Sequence, residues 1–308
     1  MATGWGVYHF SSPRAQEKNP GQIIVFLPRG MPLVHVAKTL HRAGAIDHPL
    51  LFEWGVRVLG AARRLKAGEY GLPAHSSPRQ VMEVLLAGKT LLRSLTIPEG
   101  LTTAEVLQVL RSEEGLTGEL PGDVPEGWLL PETYKYERGD RRADVMRRMM
   151  EAMAQTLNRL WPTRKQGLPF TTPLEALVLA SLVEKETAVP DERAQVAGVF
   201  VNRLRRGMRL QSDPTVVYAV TQGAGPLDRA LTFDDLRTDN PFNTYRIKGL
   251  PPRPIANAGT AAIEATLRPA DTDALYFVAD GVGGHVFAKS LEEHQKNVRQ
   301  WRALKARK

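Results

Sequence analysis

The 308-residue chain predicts an α+β fold, with short strands and helices segregated instead of alternating in parallel βαβ units. Three observations carry this expectation. Strand-like runs are few and short: residues 22–27, a strand and turn at 68–71, and a C-terminal hairpin of 274–278 and 285–288 joined by the Gly281-to-Gly284 turn. Helical periodicity governs most of the rest. Between them lies a stretch, 207–254, dense in Asn, Asp, Thr, Pro and Gly and too long for a plain connection; loops of that length are usually functional.

The first strand, 22–27, is followed by a Pro28-Arg29-Gly30 turn. Leu33, Val36, Ala37 and Leu40 then recur at helical spacing, and Gly44 stops that helix. A second helix is expected from Pro49 to about Leu59, and a third from Pro78 to Leu86, ended by Gly88. The opening pattern repeats at an offset of 70 residues. Pro98 and Gly100 match Pro28 and Gly30, Val106 matches Val36, Leu110 matches Leu40 and Leu116 matches Ile46. A strand, a Pro-x-Gly turn and an amphipathic helix are therefore used twice, as a binding module or as scaffolding.

The stretch 115–139, rich in Gly, Pro and acid, reads as an ordered linker, because Trp128, Leu129, Leu130 and Tyr134 require burial. A long amphipathic helix is expected over 141–160, then a second connection over 162–173. From Pro173 the composition changes. Leu174 to Val183 is apolar nearly all round, which predicts a buried helix ending in Glu184-Lys185-Glu186-Thr187. Another helix restarts at Pro190 and carries Val196, Val199, Phe200, Val201 and Leu204; a final helix is expected from about Leu291 to Leu304. The domain boundaries that follow are 1–21, 22–95, 96–140 and 141–308.

Composition bounds the chemistry. There is no cysteine, so disulfides and thiolate metal sites are excluded. The seven histidines are dispersed without His-x-x-x-His spacing, so neither a metal nor another cofactor is expected. The net charge of +8 suits anionic partners, yet the basic residues occur as short pairs such as Arg63-Arg64 and Arg205-Arg206, with few aromatics among them; a nucleic-acid partner is not expected. No stretch approaches the roughly 20 apolar residues of a membrane span. The opening aromatics Trp5, Tyr8 and Phe10, followed by a polar linker, resemble the outer edge of a membrane anchor, which predicts a span preceding this sequence.

The carboxylates closing the apolar helix are the chief candidates for catalysis. A helix C-terminus and partial burial both disfavour negative charge, so a carboxyl there should have a raised pKa, as a general acid near neutral pH requires. Glu184 and Glu186 stand about 200° apart on the helix. One would face a cleft and the other pair with Lys185, Arg193 or Arg203; the bland alternative is a solvated helix end. Gln211, Asp213, Asn240, Asn243, Thr244 and Tyr245 supply the amide, hydroxyl and acid groups of a sugar site, although Asn, Asp and Thr also build turns. His285 reads as a hairpin residue rather than a ligand.

These residues fall into a recognisable order. Leu179-Ala-Ser-Leu-Val-Glu-Lys-Glu-Thr187, Val199-Phe-Val-Asn-Arg-Leu204, Gly207-Met-Arg-Leu-Gln-Ser-Asp-Pro-Thr-Val216, Asn243-Thr-Tyr245, Gly249-Leu-Pro-Pro252 and Tyr276-Phe-Val-Ala-Asp-Gly281 resemble the MltG (YceG-like) endolytic murein transglycosylases. The resemblance covers roughly residues 20–300. Lys66-Ala-Gly-Glu-Tyr70 and Ile97-Pro-Glu-Gly100 fit that family's LysM-like region, which makes 22–95 a LysM-like domain, 96–140 a second repeat-like module and linker, and 141–308 the catalytic domain. The resemblance implies an enzyme at the outer face of the bacterial cytoplasmic membrane, held there by a single-pass anchor. Its substrate is the nascent glycan strand of peptidoglycan and its partners are the cell-wall synthesis machinery. It places the catalytic glutamate at Glu186, with Glu184 as the runner-up, and substrate contacts at Gln211, Asp213, Asn243 and Tyr245. Asp213 leaves a lysozyme-like hydrolase open as an alternative, and the repeated module leaves open a noncatalytic wall-binding scaffold.

Overall fold

In a computed structural model, which describes residues 21–74 and 76–305, the N-terminal segment begins with β1 (Gln22–Leu27) paired antiparallel to β2 (Gly68–Pro73), Gln22 opposite Pro73 and Leu27 opposite Gly68. The expected linker over 1–21 lies almost wholly outside the described residues. Helices α1 (Leu33–Arg42) and α2 (Pro49–Val58) connect these strands, and α3 (Pro78–Ala87) follows. Ser77 caps α3 by accepting from the Gln80 backbone, the Gln80 side chain accepts from Ser77 N–H in return, and Gly88 ends the helix at φ +67°. Val25, Leu40, Phe52, Tyr70, Leu72 and Leu85 fill one core.

The 70-residue repeat is present in three dimensions. After β3 (Leu92–Thr96), which pairs with β4 (Thr133–Glu137), comes α4 (Thr103–Ser112), displaced by 70 residues from α1 at both ends. Gly30 and Gly100 both adopt φ +78°. Val36, Leu40 and Ile46 are buried, as are Val106, Leu110 and Leu116. The second copy departs after that, because 119–131 forms no counterpart to α2. The linker expected over 115–139 contains β4, and Leu129 and Leu130 are buried as their apolar character demands.

The chain forms two compact units. One comprises residues up to Leu95 with Glu114–Gly118 and Lys135–Arg141; the other comprises Thr96–Glu113, Glu119–Tyr134 and Arg142 onward. The second holds the candidate site. Its long α5 (Arg142–Leu160) buries Met146, Met149, Met153 and Leu157 along one face. Helix α6 (Pro173–Glu186) starts at a capping box of Thr172 and Glu175, with proline in its first turn. Every residue from Ala176 to Val183 is buried, as the all-round apolar pattern predicts. The one polar residue in that run, Ser181, donates to Val178 O at 2.7 Å and accepts from Ile255 N at 3.0 Å, so its burial leaves no unpaired group. Helix α7 (Arg193–Arg205) follows a short 3-10 turn and packs on α6.

Two expectations change here. The stretch 207–254 is not all loop: it contains α8 (Asp213–Thr221) and the short α9 (Phe233–Arg237). Turn-forming residues on either side obscured a nine-residue helix that opens with Asp213-Pro214 and stops where Gln222 turns left-handed at φ +54°. Helix α10 (Thr260–Leu267), in a segment where no element was expected, packs against both α6 and α7 through Ala262, Ile263, Thr266 and Leu267. The hairpin forms as read: β5 (Tyr276–Ala279) pairs antiparallel to β6 (His285–Ala288), and Phe277 sets its ring edge-on to Phe200 of α7 at 5.9 Å. Helix α11 (Leu291–Lys305) closes the unit; none of its residues is buried. No helix among the described residues is long and apolar enough to cross a membrane.

Candidate active site

The rigid α6 delivers two carboxylates in opposite directions. Glu184 accepts from Gly259 N–H at 2.9 Å and lies 3.9 Å from Arg193. Lys185 donates to Gly100 O at 3.1 Å. Glu186 faces instead into a cavity of about 440 Å³ and accepts from Ser212 Oγ at 2.5 Å. The angular separation read from the sequence is thus realised, and the expected partner of Glu184 is Arg193.

Both carboxyls are pushed above the usual range. For Glu184 burial is the main cause, partly offset by the Gly259 hydrogen bond. For Glu186 burial again leads; the Ser212 hydrogen bond opposes it and neighbouring Asp213 reinforces it, leaving the group at about 7. Glu186 is only half-buried by accessibility, since its carboxyl opens onto the cavity, but close-packed protein atoms surround the rest of it. A carboxyl in this position is divided between acid and base near neutral pH, so it can give a proton and take one back.

A chain of hydroxyls positions Ser212, which is itself buried. Ser212 N–H donates to Thr244 Oγ1 at 3.0 Å, and Thr215 Oγ1 donates to Ser212 O at 2.6 Å. That bond uses the single hydroxyl hydrogen of Thr215, so in the 2.8 Å contact between Thr215 and Thr244 the donor is Thr244. Gln211, held at φ +52°, donates its N–H to Thr244 O. The strained turn at 211 and the buried threonines therefore aim one hydroxyl at one carboxyl.

Of the residues read from the sequence, Gln211, Asp213 and Tyr245 line the same cavity as Glu186. Tyr245 donates its hydroxyl to Asp213 at 2.6 Å, and burial followed by this bond raises the phenol. Asn243 is not brought to the cavity wall. It is fully buried, donates to Leu236 O at 3.1 Å and Thr238 O at 2.8 Å, and accepts from Tyr245 N–H at 3.0 Å, so its place is under the loop that carries Tyr245. His285 donates its backbone N–H to Glu192 and sets Nδ1 2.7 Å from the same carboxylate. Sequence reasoning did not single out Ser212, Tyr276 or His294. Ser212 lies between two residues that were chosen; Tyr276 and His294 join the cavity only through the hairpin and α11. No cluster of three or more potential metal ligands occurs among the described residues.

Comparison of sequence and fold identifies relatives of this chain. The model of the YceG-like family matches residues 25–300. An endolytic murein transglycosylase of Streptococcus pneumoniae is 32% identical over 322 residues, covering 90% of this chain and 58% of that protein. The endolytic murein transglycosylase of Bacillus subtilis is 31% identical over 303 residues, covering 88% of this chain and 82% of that one. A crystal structure of a yceG-like protein from Listeria monocytogenes superposes with a TM-score of 0.54 at 29% identity, covering 90% of this chain and 99% of that chain. The chain spans little more than half the length of the pneumococcal relative. With a match that runs from its first strand into its last helix, the chain belongs to the YceG-like family.

Proposed function

We propose that this chain cleaves peptidoglycan glycan strands internally and without water, with Glu186 acting first as acid and then as base. The observation that carries this reading is the Glu186 carboxyl, which opens onto the cavity, is raised to about 7 and is held by Ser212. Neutral Glu186 protonates the oxygen linking MurNAc C1 to GlcNAc, and that C–O bond breaks through an oxocarbenium-like state. The carboxylate then takes the proton of the MurNAc C6 hydroxyl, whose oxygen bonds to C1 and closes a 1,6-anhydro ring. One carboxyl suffices because the substrate supplies the nucleophile, whereas a conventional glycosidase needs two at a defined separation. Gln211, Asp213 and Tyr245 bind the sugars, and Asn243 supports Tyr245 from below.

Two further features support cutting within a strand. A second, more apolar cavity of about 400 Å³, lined by Pro214, Val217, Tyr218 and Leu227, adjoins the first at Asp213 and gives a strand further surface to follow beyond the Glu186 cavity. The proteins named endolytic murein transglycosylases align over most of this chain. The β1–α1–α2–β2 segment is a LysM-like, wall-binding module in this reading. The chain works at the outer face of the cytoplasmic membrane, through a single-pass anchor, beside the cell-wall synthesis machinery.

Mass spectrometry of peptidoglycan digests tests the chemistry. Anhydro-ended muropeptides from the parent protein and none from Glu186→Gln are expected. Hydrated reducing ends would turn the reading into hydrolysis assisted by Asp213. Anhydro products from Glu186→Gln would refute the assignment.

A further inference from the structure

The wall of the Glu186 cavity formed by Arg203, Tyr276 and His294 has no part in the proton transfers above, yet it is built of polar groups with unused bonding capacity. Arg203 is buried on α7. Its Nε donates to Leu275 O at 2.6 Å and its Nη1 to Leu210 O at 2.7 Å, so the backbone fixes the guanidinium while Nη2 is left over. No carboxylate among the described residues lies within ion-pair distance of it. Its guanidinium carbon sits 5.1 Å from the centre of the Tyr276 ring. The His294 ring, from α11, stacks on Tyr276 with centroids 5.1 Å apart and planes inclined by 21°. His294 Nδ1 is buried without a partner.

An orphaned buried N–H is rarer and costlier than an orphaned lone pair, so the proton of the neutral ring belongs on Nε2. Burial first, then the Arg203 charge, holds this imidazole below its usual range, so it is neutral near pH 7. The wall therefore offers N–H donors from a neutral imidazole and a fixed guanidinium and, on these two side chains, no accessible acceptor. Glu186 and Asp213, which line the same cavity, make another part of it acidic. Sugar hydroxyls, which bring their own hydrogens, suit the acidic side. The donor side calls for an oxygen that carries lone pairs and no hydrogen.

We propose that Arg203, Tyr276 and His294 form a subsite that binds a carbonyl-type oxygen of an N-acetylated sugar, its acetamido or lactyl group, and so sets which glycan can lie against Glu186. The inference rests on the glycan-cleaving reading of the same cavity, but its test does not need turnover. In the Glu186→Gln protein, binding of the tetramer of N-acetylglucosamine is measured by calorimetry beside the tetramer of glucosamine and a peptide-free MurNAc–GlcNAc tetrasaccharide. His294→Phe keeps a ring over Tyr276 and removes the donor; His294→Gln retains a side-chain N–H.

The expected result is at least about a tenfold loss of affinity for the N-acetylglucosamine tetramer in His294→Phe, partial recovery in His294→Gln, and weak binding of the glucosamine tetramer throughout. The melting temperature of His294→Phe should equal or exceed that of the parent, because the orphaned Nδ1 is gone. A His294-dependent effect confined to the MurNAc-containing probe assigns the subsite to the lactyl group. Unchanged affinity of His294→Phe for every probe overturns the proposal, as does equal binding of the acetylated and deacetylated tetramers without a His294-dependent effect on the MurNAc-containing probe. No binding of the two N-acetylated probes at millimolar concentration also overturns it.

Discussion

Replacing Glu186 by Gln should make the protein more stable while removing its activity, and the gain should depend on pH in a defined way. Burial holds the carboxyl at about 7 in the folded chain, against 4.5 for the free group. Between those values the folded state binds more protons than the unfolded one, so stability falls as the pH rises. The proton's contribution is complete below pH 4.5 and lost as the pH passes through about 7. The difference of about 2.5 units corresponds to roughly 3 kcal/mol, an upper figure because cavity water screens the charge. Gln has no such titration and still presents an oxygen to Ser212 Oγ. For a unit of this size roughly 3 kcal/mol raises the melting temperature by about 6–12 °C. Thermal unfolding of both proteins, followed from pH 4.5 to 8, should give curves that converge at the acid end and separate steadily toward pH 8. A gap that is constant over this range would show that the Glu186 carboxyl is not perturbed, and the acid–base argument would lose its foundation.

Other consequences follow from the same geometry. Ser212→Ala removes the hydrogen bond that opposes the burial of Glu186, so the alkaline limb of the cleavage pH profile should move up by about one unit; a limb that stays in place would mean that another group controls it. Glu184→Gln leaves an oxygen for Gly259 N–H and does not touch the cavity, so anhydro products should persist, and their loss would make Glu184 the acid. Leu179→Ala should cost about 2–5 kcal/mol in a denaturant titration, since the residue is fully buried at the centre of α6. Gly30→Ala and Gly100→Ala should each cost roughly 1–2 kcal/mol, because both glycines sit at φ +78° and a Cβ there meets open space or ordinary contact distance; a much larger loss at either would point to unrecognised crowding.

Much of this organisation is legible in local pattern. The all-round apolar run of α6, its Thr172 and Glu175 capping box and its terminal Glu184 and Glu186 follow from near neighbours in the chain, and so does the helix repeated at an offset of 70 residues. The segment 207–254 was harder, because Asp213-Pro214 and Gln222 bracket a helix with the same residue types that build turns. Asn243 shows a related ambiguity. An amide suited to a sugar is equally suited to three backbone partners, and only the fold of the loop decides between them.

The sequence by itself determined that a buried helix would end in carboxylates of raised pKa, because periodicity and composition report burial directly. It also determined that Gln211, Asp213 and Tyr245 belonged with them, through the order of the motifs. Only the tertiary structure decided which carboxylate faces the cavity. Gly259 and Arg193 claim Glu184, Ser212 claims Glu186, and these partners lie between 9 and 75 residues away along the chain. The donor wall of Arg203, Tyr276 and His294 was likewise invisible beforehand. Its three members come from a helix, a strand and another helix, and each reads locally as an ordinary member of its element. Ring stacking and backbone carbonyls bring them together, and those contacts exist only once the hairpin and the last helix have packed.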